Sequence, residues 1–127
     1  MSRFGEQLVE RVERAVNRTI QMALAMPRNV AGAEIGRQVV RSSCSVGANL
    51  EEAQACTSRK DFTHKPSLSL REARETLYWI RRIERNGLMT ASRLGNLMTE
   101  WDELVAILTS IQVRLRRRTK GEVETET

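Results

Sequence analysis

The stretch Arg41–Ala53, RSSCSVGANLEEA, decides the fold of this chain. On both sides of it and within it, apolar residues recur at the three-to-four spacing of an amphipathic helix, at Ile35, Val39, Val46 and Leu50. The middle of the stretch is otherwise filled with serine, cysteine, glycine, asparagine and glutamate. Small and polar residues along a packing face have to be explained by what lies opposite them.

Three interpretations of this polar face differ in function. It is formed by residues at spacings of three and four, namely Ser42, Ser45, Asn49, Glu52 and Cys56. A nucleophilic serine needs a neighbouring base, and His64 is the one histidine in the sequence. A di-iron bundle needs Glu-x-x-His on two helices, which the sequence lacks. We therefore expect no catalytic residues, no metal ligands, no cofactor and no enzymatic activity.

A solvated face is the second interpretation, although lysine, glutamate and glutamine are the better helix formers for that role. The third is close helix packing, in which small side chains let two backbones approach and polar groups hydrogen-bond across the gap. On this third interpretation we predict a structural polar network, with Glu75 accepting from Asn49 or Arg41, and its members are Arg41, Ser45, Asn49, Glu52 and Glu75.

Hydrophobic periodicity predicts four helices, at residues 3–25, 32–56, 59–86 and 91–117. Asn86-Gly87 is a typical helix stop, because glycine adopts the left-handed conformation freely. Pro66 lies inside the third helix and removes a backbone hydrogen bond, so we expect a kink near residue 66. Short connections between long helices predict an all-α, antiparallel up-down four-helix bundle.

The chain has 127 residues and a formal net charge of +5. This length is enough for one domain, which we predict at residues 1–120. The acidic residues 121–127, GEVETET, are predicted to be a disordered tail. No apolar run approaches the roughly 18 residues that a membrane span requires, so we expect no membrane association. The N-terminal segment lacks the apolar core of a signal peptide, which favours a cytoplasmic protein.

Two segments resemble the bacterial four-helix-bundle proteins encoded in intervening sequences of large-subunit ribosomal RNA. They are RQVVRSSCSVGANLEEAQACTSRKDF (37–62) and SLREARETLYWIRRIERNGL (69–88), and the resemblance extends over about residues 4–115. The family pattern is Ser-Ile/Val-x-x-Asn-Ile/Leu-x-Glu, then a phenylalanine, then a glutamate-rich third helix. The matching residues are Ser45, Val46, Asn49, Leu50, Glu52, Phe62, Glu72, Arg74 and Glu75. Pro66 departs from this pattern, in which a large apolar residue is usual.

The resemblance implies a bundle that assembles as a ring-like homopentamer without enzymatic activity. It also implies kinship with the accessory variability determinant of diversity-generating retroelements, a basic pentameric barrel that binds nucleic acid and a reverse transcriptase. A ring would accommodate a second apolar line outside the core stripe, which we expect to be buried between subunits. Its residues are Val9, Val16 and Ile20 on the first helix, and Leu70 and Leu77 on the third.

Arginine is concentrated at two places in the C-terminal half of the chain. The candidate nucleic-acid-binding residues are Arg71, Arg74, Arg81, Arg82 and Arg85 on the third helix, and Arg114, Arg116, Arg117 and Arg118 on the fourth. An ordinary solvated face remains open as an explanation, because basic residues in a last turn also favour the helix dipole.

Oligomerisation strengthens the nucleic-acid interpretation, since five copies carry about +25 and each phosphate contact adds to the affinity. No motif that reads base edges is present, so binding should follow backbone and shape. We therefore expect a nucleic-acid partner, structured RNA or a ribonucleoprotein over DNA. The alternative is a protein-interaction scaffold with no nucleic-acid role.

Overall fold

In a computed structural model, the described residues, 3–56 and 59–126, form four α-helices and no strand. The helices are α1 (Arg3–Leu24), α2 (Val30–Ala55), α3 (Arg59–Arg85) and α4 (Ala91–Glu126). Each helix packs against two others, in the pairs α1–α2, α2–α3, α3–α4 and α1–α4. The all-α fold with four helices packed against one another is therefore confirmed.

The α2–α3 interface explains the small residues of the deciding stretch. Ser42 is fully buried and its hydroxyl lies 2.8 Å from the hydroxyl of Thr76. The hydroxyl of Ser69 donates to the carbonyl of Val46 at 2.9 Å, so residue numbers rise along α2 as they fall along α3. The two helices are antiparallel, and small side chains allow these short contacts. The buried hydroxyls are satisfied, which avoids a cost of about 1–3 kcal/mol for each unpaired group.

The α1–α4 pair is joined inside and outside the core. The indole of the fully buried Trp101 donates to Thr19 Oγ1 at 2.9 Å. On the outer side, Arg11 Nε donates to Glu100 and Arg11 Nη2 donates to Glu103, each at 2.5 Å. The hydrogen bond to Glu100 is the main reason that the pKa of Arg11 is raised, and burial opposes it. These contacts fix the register of the first helix against the last.

The helix ends follow local sequence signals. Asn29 has extended backbone angles, and its side chain accepts a 2.7 Å hydrogen bond from the amide of Gly32, as an N-cap does. After α3, Gly87 has φ +67° and the amide of Leu88 donates to the carbonyl of Ile83 at 3.0 Å. This is the Schellman arrangement, in which glycine takes the left-handed conformation just past the helix.

The largest difference from the sequence expectation is the end of α4, which the structure places at Glu126 rather than near residue 117. Residues 121–126 of the predicted disordered tail are therefore helical, and Thr127 lies outside the described residues. Extending a helix that is already nucleated is much easier than starting one. The segment contains no proline, and glutamates follow Arg118 and Lys120 at the i,i+4 spacing that favours a helix.

Pro66 lies inside the span of α3, and its side chain is buried. It lines a cavity of about 200 Å³ near one end of the bundle, together with Phe62 of its own helix and Ile111 of α4. The predicted kink of the helix axis at this residue stays a prediction.

Most of the second apolar line is buried within the protomer. Leu70, Leu77 and Val16 are buried in the single chain, and Val9 and Ile20 are partly buried against the same core. The expectation that Val16, Leu70 and Leu77 need a neighbouring subunit was wrong, whereas for Val9 and Ile20 it stays a prediction. Each helix here faces two partners, so its buried side is wider than one stripe.

Candidate nucleic-acid interface

An exposed basic stripe runs along α3 on the side opposite its core residues. Its members follow one another at intervals of three, four, three and four residues, all of them are exposed, and they are Arg71, Arg74, Tyr78, Arg81 and Arg85. We call this set the α3 stripe. At a rise of 1.5 Å per residue it is about 21 Å long. The helix therefore presents four guanidinium groups in a row with one aromatic ring in the middle.

The arginines of the α3 stripe have no carboxylate partner within the part of the chain that the structure describes. Arg11, Arg37 and Arg41 do have one, whereas Arg14 and Arg18 of α1 share the lack of a partner among the described residues. An ordinary solvated face on a helix is usually crossed by opposite charges at i,i+4. The α3 stripe therefore offers positive charge that no internal ion pair compensates.

Tyr78 is the aromatic member of the α3 stripe, and its side chain is 50% exposed. The guanidinium of Arg82 lies over its ring, 5.2 Å from the centroid, at the distance of a cation–π contact. The ring of Trp79 meets it edge-on, with centroids 5.0 Å apart and planes at 73°. Two neighbours thus hold the Tyr78 ring, while half of its surface remains open to solvent.

Arg82 differs from the other predicted arginines because it is only partly exposed. Its Nε is buried and has no hydrogen-bond partner among the described residues. Its guanidinium supports Tyr78, and its place in the last turn of α3, with Arg85, suits the helix dipole. Arg82 is thus a support for the aromatic ring more than an open phosphate ligand.

Sequence reasoning placed the arginines but left Tyr78 out of the site. The signal was available, because Tyr78 falls at i+4 from Arg74 and at i−3 from Arg81 on the same helical line. The sequence places Tyr78 among the arginines, but only charged residues were counted as binding candidates.

The predicted polar network exists as separate pieces, and Arg41 holds the first of them. Arg41 reaches from α2 to α3, where Nη1 donates to Glu72 at 3.3 Å and Nη2 donates to Glu75. Glu75 also accepts from the indole of Trp79 at 3.2 Å. The two carboxylates beside the α3 stripe are therefore engaged by Arg41, and the predicted Arg41–Glu75 contact is present in the structure.

The rest of the predicted network is not brought together with this cluster. Asn49 is half-buried, and its amide donates to the carbonyl of Ser45 at 2.8 Å and to its hydroxyl at 3.2 Å, within α2. The side chain of Glu52 is 59% exposed and contacts Lys65 at 2.6 Å. The expected buried bonds of Asn49 and Glu52 across the gap do not form. Glu52 lies ten residues after Ser42, which places it about 80° away around the helix axis, so its side chain turns away from the buried direction of Ser42.

The second group of predicted arginines lies at the far end of the molecule from the C-terminal end of the α3 stripe. Its residues are all exposed, and they are Arg114, Arg116, Arg117 and Arg118. Two of them, Arg114 and Arg118, line the same cavity as Phe62, near the start of α3. Arg85 lies more than 20 residues further along that helix, which corresponds to roughly 30 Å or more. Arg71 is nearer, since it lies nine residues beyond Phe62, or roughly 14 Å along the helix.

Potential metal ligands do not cluster in the described residues. His64 is exposed on α3. Across residues 3–56 and 59–126, no group of three or more histidine, cysteine or acidic side chains is placed to hold a metal ion. In the same parts of the chain, no helix combines the length and apolar character needed to cross a membrane.

The fold and this surface define an all-α four-helix bundle with an uncompensated basic helix face. The chain belongs to the 23S rRNA-intervening sequence protein family, whose sequence model matches residues 7–110. This confirms the resemblance drawn from the sequence. No functionally curated protein matches the chain significantly.

A solved structure with a similar fold comes from Bacteroides thetaiotaomicron VPI-5482. It is a protein of unknown function from the S23 ribosomal protein family, with a TM-score of 0.76 and 26% sequence identity to this chain. The similarity covers 85% of this chain and 96% of the other. The two chains therefore share the fold over nearly the full length of the solved protein.

Proposed function

We propose that this chain is a non-enzymatic, cytoplasmic homo-oligomer, a ring of five subunits, that binds nucleic acid through its outer basic surface without reading base identity. The preferred ligand is structured RNA or a ribonucleoprotein rather than DNA. One observation carries the proposal: the exposed arginines of the α3 stripe have no internal carboxylate partner. Planar guanidinium groups bind phosphate groups through two parallel hydrogen bonds.

The family supports the RNA side of the proposal only by its name, because it is defined by intervening sequences of 23S rRNA. The charge supports it independently. Each of the five copies contributes a formal +5. Repeating the α3 stripe around a ring would multiply the number of phosphate contacts and make binding strongly dependent on salt.

The oligomeric part of the proposal has a candidate contact surface on α1 and α2. Leu24 and Val30 are 76% and 89% exposed, which is unusual for large apolar side chains. They flank an open groove of about 840 Å³ that is also lined by Ile20, Ala23 and Val40. We call this surface the α1–α2 groove. Exposed apolar patches of this kind commonly mark interfaces, and we assign this one to a second copy of the chain.

The alternative function is a protein-interaction scaffold with no nucleic-acid role. In that case the α1–α2 groove would still mediate contacts, but the arginines of α3 would be an ordinary solvated surface. The two functions differ in one measurable property, which is binding to phosphate-rich ligands at moderate salt.

The test is a titration of fluorescently labelled structured RNA and duplex DNA at several salt concentrations, with the particle mass recorded on the same sample. We expect a pentamer whose affinity for RNA falls steeply with salt, with a slope of about 0.7–0.9 per phosphate contact. The double variant Arg81→Glu/Arg85→Glu should bind far more weakly.

The matched control is Arg14→Glu/Arg18→Glu, which reverses two exposed arginines at the same i,i+4 spacing on α1. If both double variants weaken binding equally, net charge rather than the α3 stripe is responsible. If the unaltered pentamer ignores both ligands at moderate salt, the scaffold function replaces the nucleic-acid function.

A further inference from the structure

We propose that the α3 stripe is a track for unpaired nucleotides, on which Tyr78 stacks against a base while the arginines on both sides contact the flanking phosphates. This inference rests on the proposed nucleic-acid function and makes it more specific. It assigns the ligand as the single-stranded part of a nucleic acid, such as a loop or a bulge, and not a duplex.

The composition of the stripe points to a single strand. Proteins that bind single strands without sequence preference combine a line of positive charge with aromatic rings on which bases stack. Here Tyr78 has Arg74 and Arg71 on one side and Arg81 and Arg85 on the other. In a duplex the base faces are covered by their neighbours, so the tyrosine ring would have nothing to stack on. Only phosphate contacts would remain.

The length of the stripe fits a short strand. Its 21 Å or so corresponds to about six nucleotides at the ~3.4 Å rise of a stacked strand. The ring lies at the midpoint of the line, seven residues from Arg71 and seven from Arg85. A base stacked there therefore has phosphates extending toward both pairs of arginines.

The ring is positioned before any ligand binds. Arg82 covers it at 5.2 Å and Trp79 supports its edge at 5.0 Å. Because the side chain is already held, stacking a base on its exposed part costs little additional conformational entropy. Of the large apolar side chains that are clearly exposed among the described residues, Leu24, Val30 and Val113 are aliphatic, and Tyr78 alone offers a ring.

Part of the negative charge beside the track is neutralised by a specific contact, whereas Glu84, next to Arg85, has no ion pair among the described residues. Glu72 and Glu75 lie on α3 next to the stripe, and both are held by Arg41 of α2. Without that ion pair, two carboxylates would repel the phosphates that the stripe attracts. Arg41 thus acts as a positioning residue for the track without belonging to it.

The experiment compares four ligands on the full-length protein, all at moderate salt. They are an eight-nucleotide single-stranded RNA, the DNA strand of the same sequence, the corresponding RNA duplex, and a DNA strand with abasic sites at its central positions. We expect both intact single strands to bind more tightly than the duplex, and the abasic strand to bind more weakly than the intact DNA strand. A clear advantage of RNA over DNA would identify RNA as the natural source of the nucleotides.

Two substitutions of Tyr78 separate stacking from charge. Removing an aromatic platform weakens single-strand binding by roughly 5- to 100-fold, so we expect a loss in that range for Tyr78→Leu. Tyr78→Phe keeps the ring and should remain within about 2-fold of the unaltered protein. Neither substitution should alter duplex binding, and Tyr78→Leu should bind the intact and abasic DNA strands equally. Circular dichroism melting confirms that both variants are folded.

The outcomes distinguish this inference from the function on which it rests. If Tyr78→Leu binds single strands normally while Arg81→Glu/Arg85→Glu does not, stacking is overturned and phosphate binding survives. If duplex and single strand bind equally, the single-strand assignment is overturned. If the unaltered protein binds none of the four ligands, the proposed nucleic-acid function falls together with the track.

Discussion

At the scale of single residues, backbone conformation separates two glycines whose surroundings are alike. A β-carbon added at Gly87 or Gly95 would meet no other atom within 4 Å. Gly87 has φ +67°, whereas Gly95 lies inside α4. A left-handed conformation costs an L-residue roughly 1–2 kcal/mol, while replacing glycine by alanine inside a helix gains about 0.5–1 kcal/mol. We therefore expect Gly87→Ala to lower the free energy of unfolding and Gly95→Ala to raise it.

Urea denaturation followed by circular dichroism measures both changes in one series. Gly87→Asn serves as the control, because asparagine tolerates the left-handed region better than alanine and should lose less stability. A change of the same sign in the free energy of unfolding for the two alanine variants would show that the left-handed conformation at residue 87 does not disfavour alanine.

At the scale of the helix pair, the α2–α3 contact should tolerate loss of a hydroxyl better than added volume. Ser42 is fully buried against Thr76, whose hydroxyl also donates to the carbonyl of Glu72 at 2.9 Å. Ser42→Ala leaves that second bond intact, so we expect a loss of about 0.5–1.5 kcal/mol. Ser42→Leu forces extra carbons between two close backbones and should cost about 3 kcal/mol or more.

Asn49→Leu on the same helix is the matched comparison in these unfolding measurements. Asn49 bonds only Ser45 in the structure and is half-buried, so its replacement should shift the free energy of unfolding by less than about 1 kcal/mol. A loss as large as that of Ser42→Leu would mean that Asn49 belongs to a buried network between helices.

The same helix pair gives a prediction about binding. Arg41→Gln releases Glu72 and Glu75 beside the α3 stripe, and so adds repulsion to the loss of its own charge. Arg37→Gln removes the same charge from the same helix but leaves these glutamates engaged, since Arg37 pairs with Glu34. In a low-salt titration with single-stranded RNA, we expect Arg41→Gln to weaken binding clearly more than Arg37→Gln. Equal losses would mean that Arg41 contributes only net charge.

These helices also show which features of the fold can be predicted from the sequence. Period and turn residues determine where a helix begins and stops, as at Gly87, because those signals are local. The predicted α4 was too short. Low hydrophobicity indicates that a segment cannot fold alone, but it does not indicate that an existing helix ends before that segment. The burial of Leu70 and Leu77, and the exposure of Glu52, depend on which helices face each other. That information is tertiary and cannot be read from spacing.

The sequence was enough to predict which charged residues form the candidate site, but not how they are arranged in the folded protein. All nine predicted arginines lie in the described part of the chain, and eight of them are exposed while Arg82 is partly buried under Tyr78. Their division between two levels of the bundle, with Arg85 farthest from Arg114 and Arg118, follows from the antiparallel packing of α3 and α4. A sequence shows the two clusters at a distance along the chain, but it does not show how far apart folding leaves them.

At the scale of the whole molecule, this division means that one protomer binds a large RNA weakly and that an oligomer binds it strongly. A single α3 stripe covers only about six nucleotides, whereas several stripes held in one particle bind the same RNA at once. Linked sites raise the overall affinity by about 10²- to 10⁴-fold without any new contact, provided that the geometry allows simultaneous binding. Short and long RNA ligands therefore test the track and the oligomer separately.

The variant Leu24→Glu/Val30→Glu places two charges on the α1–α2 groove, whose lining includes no residue of the α3 stripe. We expect it to lower the particle mass to that of the monomer. Its affinity for an eight-nucleotide strand should be unchanged, because one stripe is enough, while its affinity for a long structured RNA should fall at least 10-fold as avidity is lost. The control Ala106→Glu/Ser110→Glu adds the same charge at exposed positions of α4 and should keep both the mass and the affinity for long RNA. A groove variant that remains oligomeric would place the subunit contact elsewhere, and one that loses the short strand as well would mean that the track is completed only between subunits.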